Sequence, residues 1–188
     1  MHRRIIVGLA SAMFALAAAG PARADLVGTE FTATYRFPDI ASVYPSGTPV
    51  PPTFTVGAGV ESVVDIEGVT DISVDFAATS LTLTLNTILT APTWNASAFN
   101  GLLFEATGAH GILSASVDAS TTMAGFDASR ITLSADEIGI NWQGLSYVDG
   151  TVVTINFTFA QVPVPEPASL AVLGIGLLGL AASRRRMA

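Results

Sequence analysis

The chain has 188 residues, a formal net charge of −7 and only 12% charged residues. It contains no cysteine, and all eight of its basic residues are arginines. Disulfide frameworks, thiolate metal sites, cysteine nucleophiles and lysine Schiff bases are therefore excluded, and the acidic balance argues against a nucleic-acid partner, since phosphate binding needs a basic surface.

The N-terminus carries the pattern of a secretory signal peptide over residues 1–24. His2-Arg3-Arg4 supplies the positive start, an apolar run follows over 5–19, and Gly20-Pro21 breaks it. Ala22 and Ala24 place small residues at both positions of an A-x-A cleavage site. Cleavage after Ala24 leaves Asp25 as the first mature residue and makes the export translocon a partner. Six of the eight arginines lie near the two ends. The stretch 25–165 keeps only Arg36 and Arg130 against 14 acidic residues, a formal charge of −12.

From residue 25 to 162 the dominant pattern has period two. Phe31, Ala33, Tyr35 and Phe37 alternate with Glu30, Thr32, Thr34 and Arg36. Val64 and Ile66, then Ile72, Val74 and Phe76, alternate with polar residues on either side of a turn expected over 68–70. Leu81, Leu83 and Leu85 repeat the pattern, as do Val153, Ile155, Phe157 and Phe159. This is the mark of antiparallel strands with one buried and one solvated face. Asn100-Gly101 and Asp149-Gly150 read as turns. The segment 38–52 holds five prolines and cannot be a central strand. Residues 119–128 have room for one short helical turn. The expected fold is all-β, one antiparallel β-sandwich or jelly roll of roughly eight to ten strands. It is flanked by an N-terminal signal helix and a C-terminal transmembrane helix.

Four groups in this body are candidates for chemistry. Asp65, Glu67, Asp71 and Asp75 form the densest carboxylate set. On a hairpin they share one face, which suits a weak calcium site or, read as paired acids, a glycoside hydrolase; a charged outer face that blocks edge pairing is the plainer reading. His110 is expected to face solvent from a loop. Ser114, Ser116 and Asp118 follow it but alternate along one strand, which does not build a Ser–His–Asp triad. Trp142 continues the alternation of Ile138 and Ile140 and belongs to the core. Trp94 sits in a loop-like stretch and is the better candidate for glycan contact, against a partly buried packing role.

The C-terminus begins with Pro163, Pro165 and Pro167 at alternate positions, which favour an extended segment with few backbone donors. An apolar run over 168–183 then leads to Arg184, Arg185 and Arg186. As a helix it spans about 24 Å, marginal against a hydrocarbon core of roughly 30 Å, with the arginines on the cytoplasmic side. Residues 174–179 spell G-x-G-x-x-G, but the strand, helix and acidic residue of a dinucleotide site are missing around them.

The order Pro165-Glu166-Pro167, short apolar helix, arginine cluster, on a chain that begins with a signal peptide, resembles the PEP-CTERM sorting signal of exported bacterial proteins. The resemblance covers about residues 163–188 and leaves the body unassigned. It implies recognition of Pro165, Glu166 and Pro167 by an exosortase, a membrane-embedded enzyme similar to cysteine proteases, and transfer toward the surface of a Gram-negative cell. It also implies an association with exopolysaccharide and biofilm. Together with a body lacking a catalytic constellation, the expected function is a non-catalytic, structural or adhesive protein of the envelope or matrix, with no cofactor beyond calcium. The alternatives are a module binding a neutral glycan and a polysaccharide hydrolase using paired carboxylates.

Overall fold

The structure, a computed structural model, describes residues 25–159. The signal segment 1–24 and the apolar segment 168–183 lie outside the described residues. Within them, alternate burial along the chain produces eleven strands: β1 (Glu30–Arg36), β2 (Gly47–Val50), β3 (Thr53–Thr55), β4 (Ser62–Ile66), β5 (Thr70–Phe76), β6 (Ser80–Thr87), β7 (Gly101–Ala106), β8 (Ile112–Val117), β9 (Ile131–Leu133), β10 (Glu137–Asn141) and β11 (Thr151–Phe159). The one short helical turn among the described residues lies over Ala128–Arg130, sharing only Ala128 with the expected stretch 119–128, and Asp127 caps it by accepting from the Ser129 backbone N–H. No helix among the described residues is long and apolar enough to cross a membrane.

The strands form two antiparallel sheets. One has the order β3-β1-β7-β10-β9, the other β2-β4-β5-β6-β11-β8. Their apolar faces enclose one core. Phe31 of β1 stacks on Phe76 of β5 with ring centroids 4.9 Å apart, and Phe104 of β7 meets Phe76 edge-on at 5.2 Å. These contacts join the two sheets, and such aromatic pairs contribute about 0.5–1.5 kcal/mol each beyond their burial. Leu81, Leu83 and Leu85 of β6 face inward beside Val153 and Ile155 of β11, all fully buried.

The turns depart from the sequence reading where side chains compete for space. The β4–β5 hairpin turns through Glu67 and Gly68, both with positive φ, and closes with Val69 N–H on the Ile66 carbonyl at 3.0 Å. This geometry matches the right-handed twist of the strands. Asn100-Gly101 is not a hairpin turn. Asn100 is buried, and Gly101 opens β7 opposite Asn141. A Cβ at Gly101 would collide with the Ile140 carbonyl oxygen. The glycine is therefore required by the close approach of β10, not by a turn. The proline-rich segment contains β2, an edge strand paired only with β4. A proline survives there because an edge strand leaves half its backbone donors unpaired.

His110 does not face solvent. It is 1% exposed. Its Nδ1 accepts from the Ile112 backbone N–H at 3.1 Å, and its Nε2 faces the Glu137 carbonyl at 3.4 Å. One acceptor and one donor define the neutral imidazole protonated on Nε2. The ring thus fastens the β7–β8 connection to the start of β10. Burial holds its pKa below the usual 6.5, with the Glu137 carbonyl and Asp136 pulling weakly the other way.

Two outcomes follow. Gly101→Ala is expected to destabilise the protein by roughly 1–3 kcal/mol or more in denaturant titrations. Gly57→Ala, whose Cβ would meet only ordinary contact, is expected to stay within about 1 kcal/mol of the parent. For His110 the unfolded chain takes up its proton near 6.5 and the folded chain only at lower pH. Its contribution is therefore complete above pH 6.5 and lost as pH falls through the folded value. The carboxylates Asp118 and Asp127, held below 3.8 by hydrogen bonds from Ser120 and Ser129, act only in a more acidic range. The thermal midpoint should fall between about pH 6.5 and pH 5, and His110→Gln should remove that slope; an unchanged slope would sink the assignment.

Candidate functional site

The end of the sandwich where β1 finishes, β4 turns into β5 and β11 begins collects most of the remaining aromatic side chains. Tyr35 is the last inward residue of β1. Trp142 follows the inward Ile138 and Ile140 of β10. Tyr44 precedes β2, Trp94 lies between β6 and β7, and Tyr147 between β10 and β11. Trp94 stacks on Tyr147 at 4.7 Å and 11°, with Trp142 at 5.5 Å and Tyr35 at 6.0 Å. Tyr44 packs beside Tyr35 at 6.1 Å and edge-on against Phe37 at 5.6 Å. Gly47 makes this possible, because a Cβ there would lie 2.5 Å from the Tyr35 Cβ.

Each polar tip in this cluster but one is paired. Trp142 Nε1 donates to Tyr35 Oη at 2.9 Å, and Tyr35 Oη donates to Asn100 Oδ1 at 2.7 Å. Thr70 donates to Thr87 Oγ1 at 2.9 Å, and Thr87 to the Val69 carbonyl. Tyr147 Oη, 2.8 Å from Thr70 Oγ1, must then be the donor to it. Tyr44 Oη donates to the Glu67 carboxylate. Burial raises the pKa of Tyr35 well above 10.0 and raises that of Tyr147, while the Glu67 hydrogen bond raises that of Tyr44. All three phenols are therefore neutral donors at ordinary pH. The exception is Trp94, whose indole N–H is buried without a partner.

Between these side chains lies a cleft of about 210 Å³, walled by Tyr35, Phe37, Tyr44, Trp94 and Tyr147 and floored by Asn100. Glu67 is the one charged residue among those that line it. Such a surface offers aromatic faces and one carboxylate, while the unpaired Trp94 N–H is closed to solvent. It carries no cation to attract an anionic ligand.

The residues singled out in the sequence are only partly brought together. Trp94 is 7% exposed and one of its faces is covered by Tyr147, so it forms a wall of the cleft and not a free stacking platform. Asp65 and Asp71 stand directly opposite each other on β4 and β5. Asp75 lies four residues along β5 from Asp71, about 13 Å away at the rise of a strand. Glu67 leaves this set for Tyr44. Among the described residues no group of three or more His, Cys, Asp or Glu is placed to hold a metal ion. Asp118 accepts from Asn156 Nδ2 at 2.7 Å and from the Ser120 N–H at 2.9 Å, while both nitrogens of His110 face backbone groups. Ser114 bonds Thr158 at 2.6 Å, and no triad forms from these residues. Tyr44 and Tyr147 are isolated aromatics between strands and carry no periodic signal, and Asn100 reads in the sequence only as part of a turn. Ala22, Ala24, Pro165, Glu166, Pro167, Arg184, Arg185 and Arg186 lie outside the described residues.

No curated protein and no solved structure matches the chain significantly. Residues 163–186 match the PEP-CTERM protein-sorting motif, a segment that includes Pro165, Glu166, Pro167 and the three C-terminal arginines. The protein is thus an exported one, with a C-terminal sorting signal of the kind processed by an exosortase-like enzyme.

Proposed function

We propose that the β-domain is a non-catalytic, structural or adhesive component of the Gram-negative envelope or extracellular matrix. In this reading the tail holds it transiently in the membrane through the apolar segment 168–183, and cleavage near Pro165–Pro167 then releases it toward the cell surface. The observation that carries this reading is the position of the sorting motif. It begins at residue 163, just past the last strand of the described residues, which ends at Phe159. A folded all-β body followed at once by an address signal is cargo, and the signal's chemistry does not depend on the body.

Charge narrows the surroundings. The stretch 25–165 carries −12, so an anionic polysaccharide would repel it unless cations bridged the two. A neutral exopolysaccharide is the compatible matrix partner.

Intact mass and cell fractionation of the native protein test the proposal. The expected mature species begins at Asp25, ends near Pro165–Pro167 and is recovered from the cell surface or medium. Glu166→Ala is expected to accumulate a membrane-bound form that keeps residues 168–188. A surface species that still carries those residues in the parent protein would overturn the processing step.

A further inference from the structure

We infer that the free edge of β8 is a strand-addition site for an extended, basic polypeptide segment of another protein.

Four strands end the two sheets among the described residues, and three of them are poor templates. β2 carries Pro49 and runs into Pro51 and Pro52, while β3 and β9 are three residues long. Proline and shortness are ordinary ways of blunting an edge. β8 is six residues long and holds neither a proline nor a charge.

The backbone identifies the free groups. The Asp118 N–H bonds the Thr154 carbonyl of β11, whereas the Phe157 N–H turns the other way, to the Thr79 carbonyl. Ala115 lies opposite Phe157, and Ser116 opposite Asn156. Bonded and non-bonded pairs alternate along an antiparallel ladder. Ser114 and Ser116 therefore bond β11, while Ala115 and Val117 aim N–H and C=O off the sheet. Among the described residues no further strand pairs with β8. The register shift at Thr158/Phe159 makes Leu113 the extra residue of a bulge, and its side chain is 67% exposed. The regular template thus runs from Ser114 to Val117.

Beside this edge the sandwich is incompletely closed. β9, the edge of the other sheet, lies against β8, and the His110 N–H bonds the Ala135 carbonyl at one end of the seam between them. Ala115, Val117, Ile131 and Leu133 pack against the core there but stay only partly buried. A strand laid antiparallel along β8 would bond Ala115 and Val117 and turn alternate side chains onto this seam. Main-chain bonds then supply affinity, and apolar residues at every second position supply fit.

Charge decides the sign of the partner. Asp136 lies beside His110 at the start of β8, and Asp118 follows its end. Among the described residues neither carboxylate has an ion-pair partner. Arg130, just before β9, donates to the Gln143 carbonyl at 2.8 Å. A second copy would bring another −12 over residues 25–165, which opposes pairing of two β8 strands. A basic segment is drawn to the same field. Net charge thus guards this edge against its own kind, where β2 uses proline, and leaves it open to a chain of opposite sign.

Amide exchange followed by NMR tests this, with the full chain in dodecyl maltoside micelles and empty micelles as the blank. The probe is the capped peptide Lys-Val-Lys-Val-Lys-Val-Lys. Directly opposite residues share a face, so its valines carry the N–H groups that meet Ala115 and Val117. The comparison peptides are Lys-Val-Lys-Pro-Lys-Val-Lys, which keeps the charge and removes one ladder donor, and Glu-Val-Glu-Val-Glu-Val-Glu. In the chain alone the Ala115 and Val117 amides should exchange faster than those of Ser114 and Ser116. The saturating lysine–valine peptide is expected to slow both roughly tenfold or more. The two comparison peptides are expected to bind roughly tenfold more weakly. Leu113→Lys, at an exposed position, adds a guarding charge and is expected to weaken binding roughly fivefold, with circular dichroism showing an unchanged fold. No saturable binding, binding without protection of Ala115 and Val117, equal affinity for either comparison peptide, or unchanged affinity in Leu113→Lys would each overturn the assignment. Protection of those amides by rising protein concentration alone would also overturn it, because the occupant would then be a second copy.

Discussion

A phenol whose hydroxyl is sealed inside a protein must find partners there, and Tyr35 sets the terms for one whole end of this domain. It is 1% exposed. Its oxygen accepts from Trp142 and its proton goes to Asn100. Asn100 then holds the Asn95 carbonyl through Nδ2, and its backbone N–H bonds Asn141 Oδ1. One buried hydroxyl thus fixes the end of β1, the entry to β7, the exit from β10 and the loop that carries Trp94. Removing one partner would leave a buried polar group at a cost of about 1–3 kcal/mol. The aromatic rings gathered around this chain cannot tile space completely, and the gap they leave is the cleft.

The strands were legible because their signal is local. Phe31, Ala33 and Tyr35, or Leu81, Leu83 and Leu85, declare a buried face without reference to any neighbour. What was not legible depends on a second segment far along the chain. Asn100-Gly101 has the composition of a turn, yet Gly101 is dictated by the Ile140 carbonyl and Asn100 by Tyr35. His110 lies in a glycine-rich stretch that reads as exposed, but the Glu137 carbonyl and the Ile112 N–H draw the ring inside. β2 is hidden by its own Pro49 and the prolines around it, which exclude a central strand and permit an edge one. Glu67 was grouped with three aspartates by alternation. Alternation stops at a turn, and Glu67 is the first residue of one. The cleft shares this property: its lining comes from separate stretches of the chain, and of those residues only Trp94 and Glu67 are candidates for chemistry in the sequence.

Electrostatics holds little of this fold together. The described residues contain one ion pair between Arg and carboxylate side chains within 4.0 Å, Arg36 with Glu105 at 3.3 Å, and the Glu105 side chain is 44% exposed. Such a pair is worth about 0–1 kcal/mol. With two arginines against so many acids, most carboxylates have no cation to meet and instead accept from nearby N–H and O–H groups. Asp39, Asp65, Asp118 and Asp127 each take backbone donors within three residues. The acidic groups therefore stiffen turns locally, while the sheets are joined by apolar burial. A net charge far from zero keeps the domain from associating with itself, at the expense of self-repulsion within the fold.

This division of labour bears on recognition. A stretch with a formal charge of −12 discriminates against anionic polymers at a distance, before any contact is made. Close selection must then come from hydrogen bonding and shape, and in the aromatic cleft a carboxylate and partly exposed ring surface lie side by side. It is also farthest from the end at which the chain leaves β11 toward the sorting motif. A domain attached through that end would keep the cleft directed outward whatever happened at the tail. The same burial that pins Tyr35 would keep its walls in place when the connection was cut.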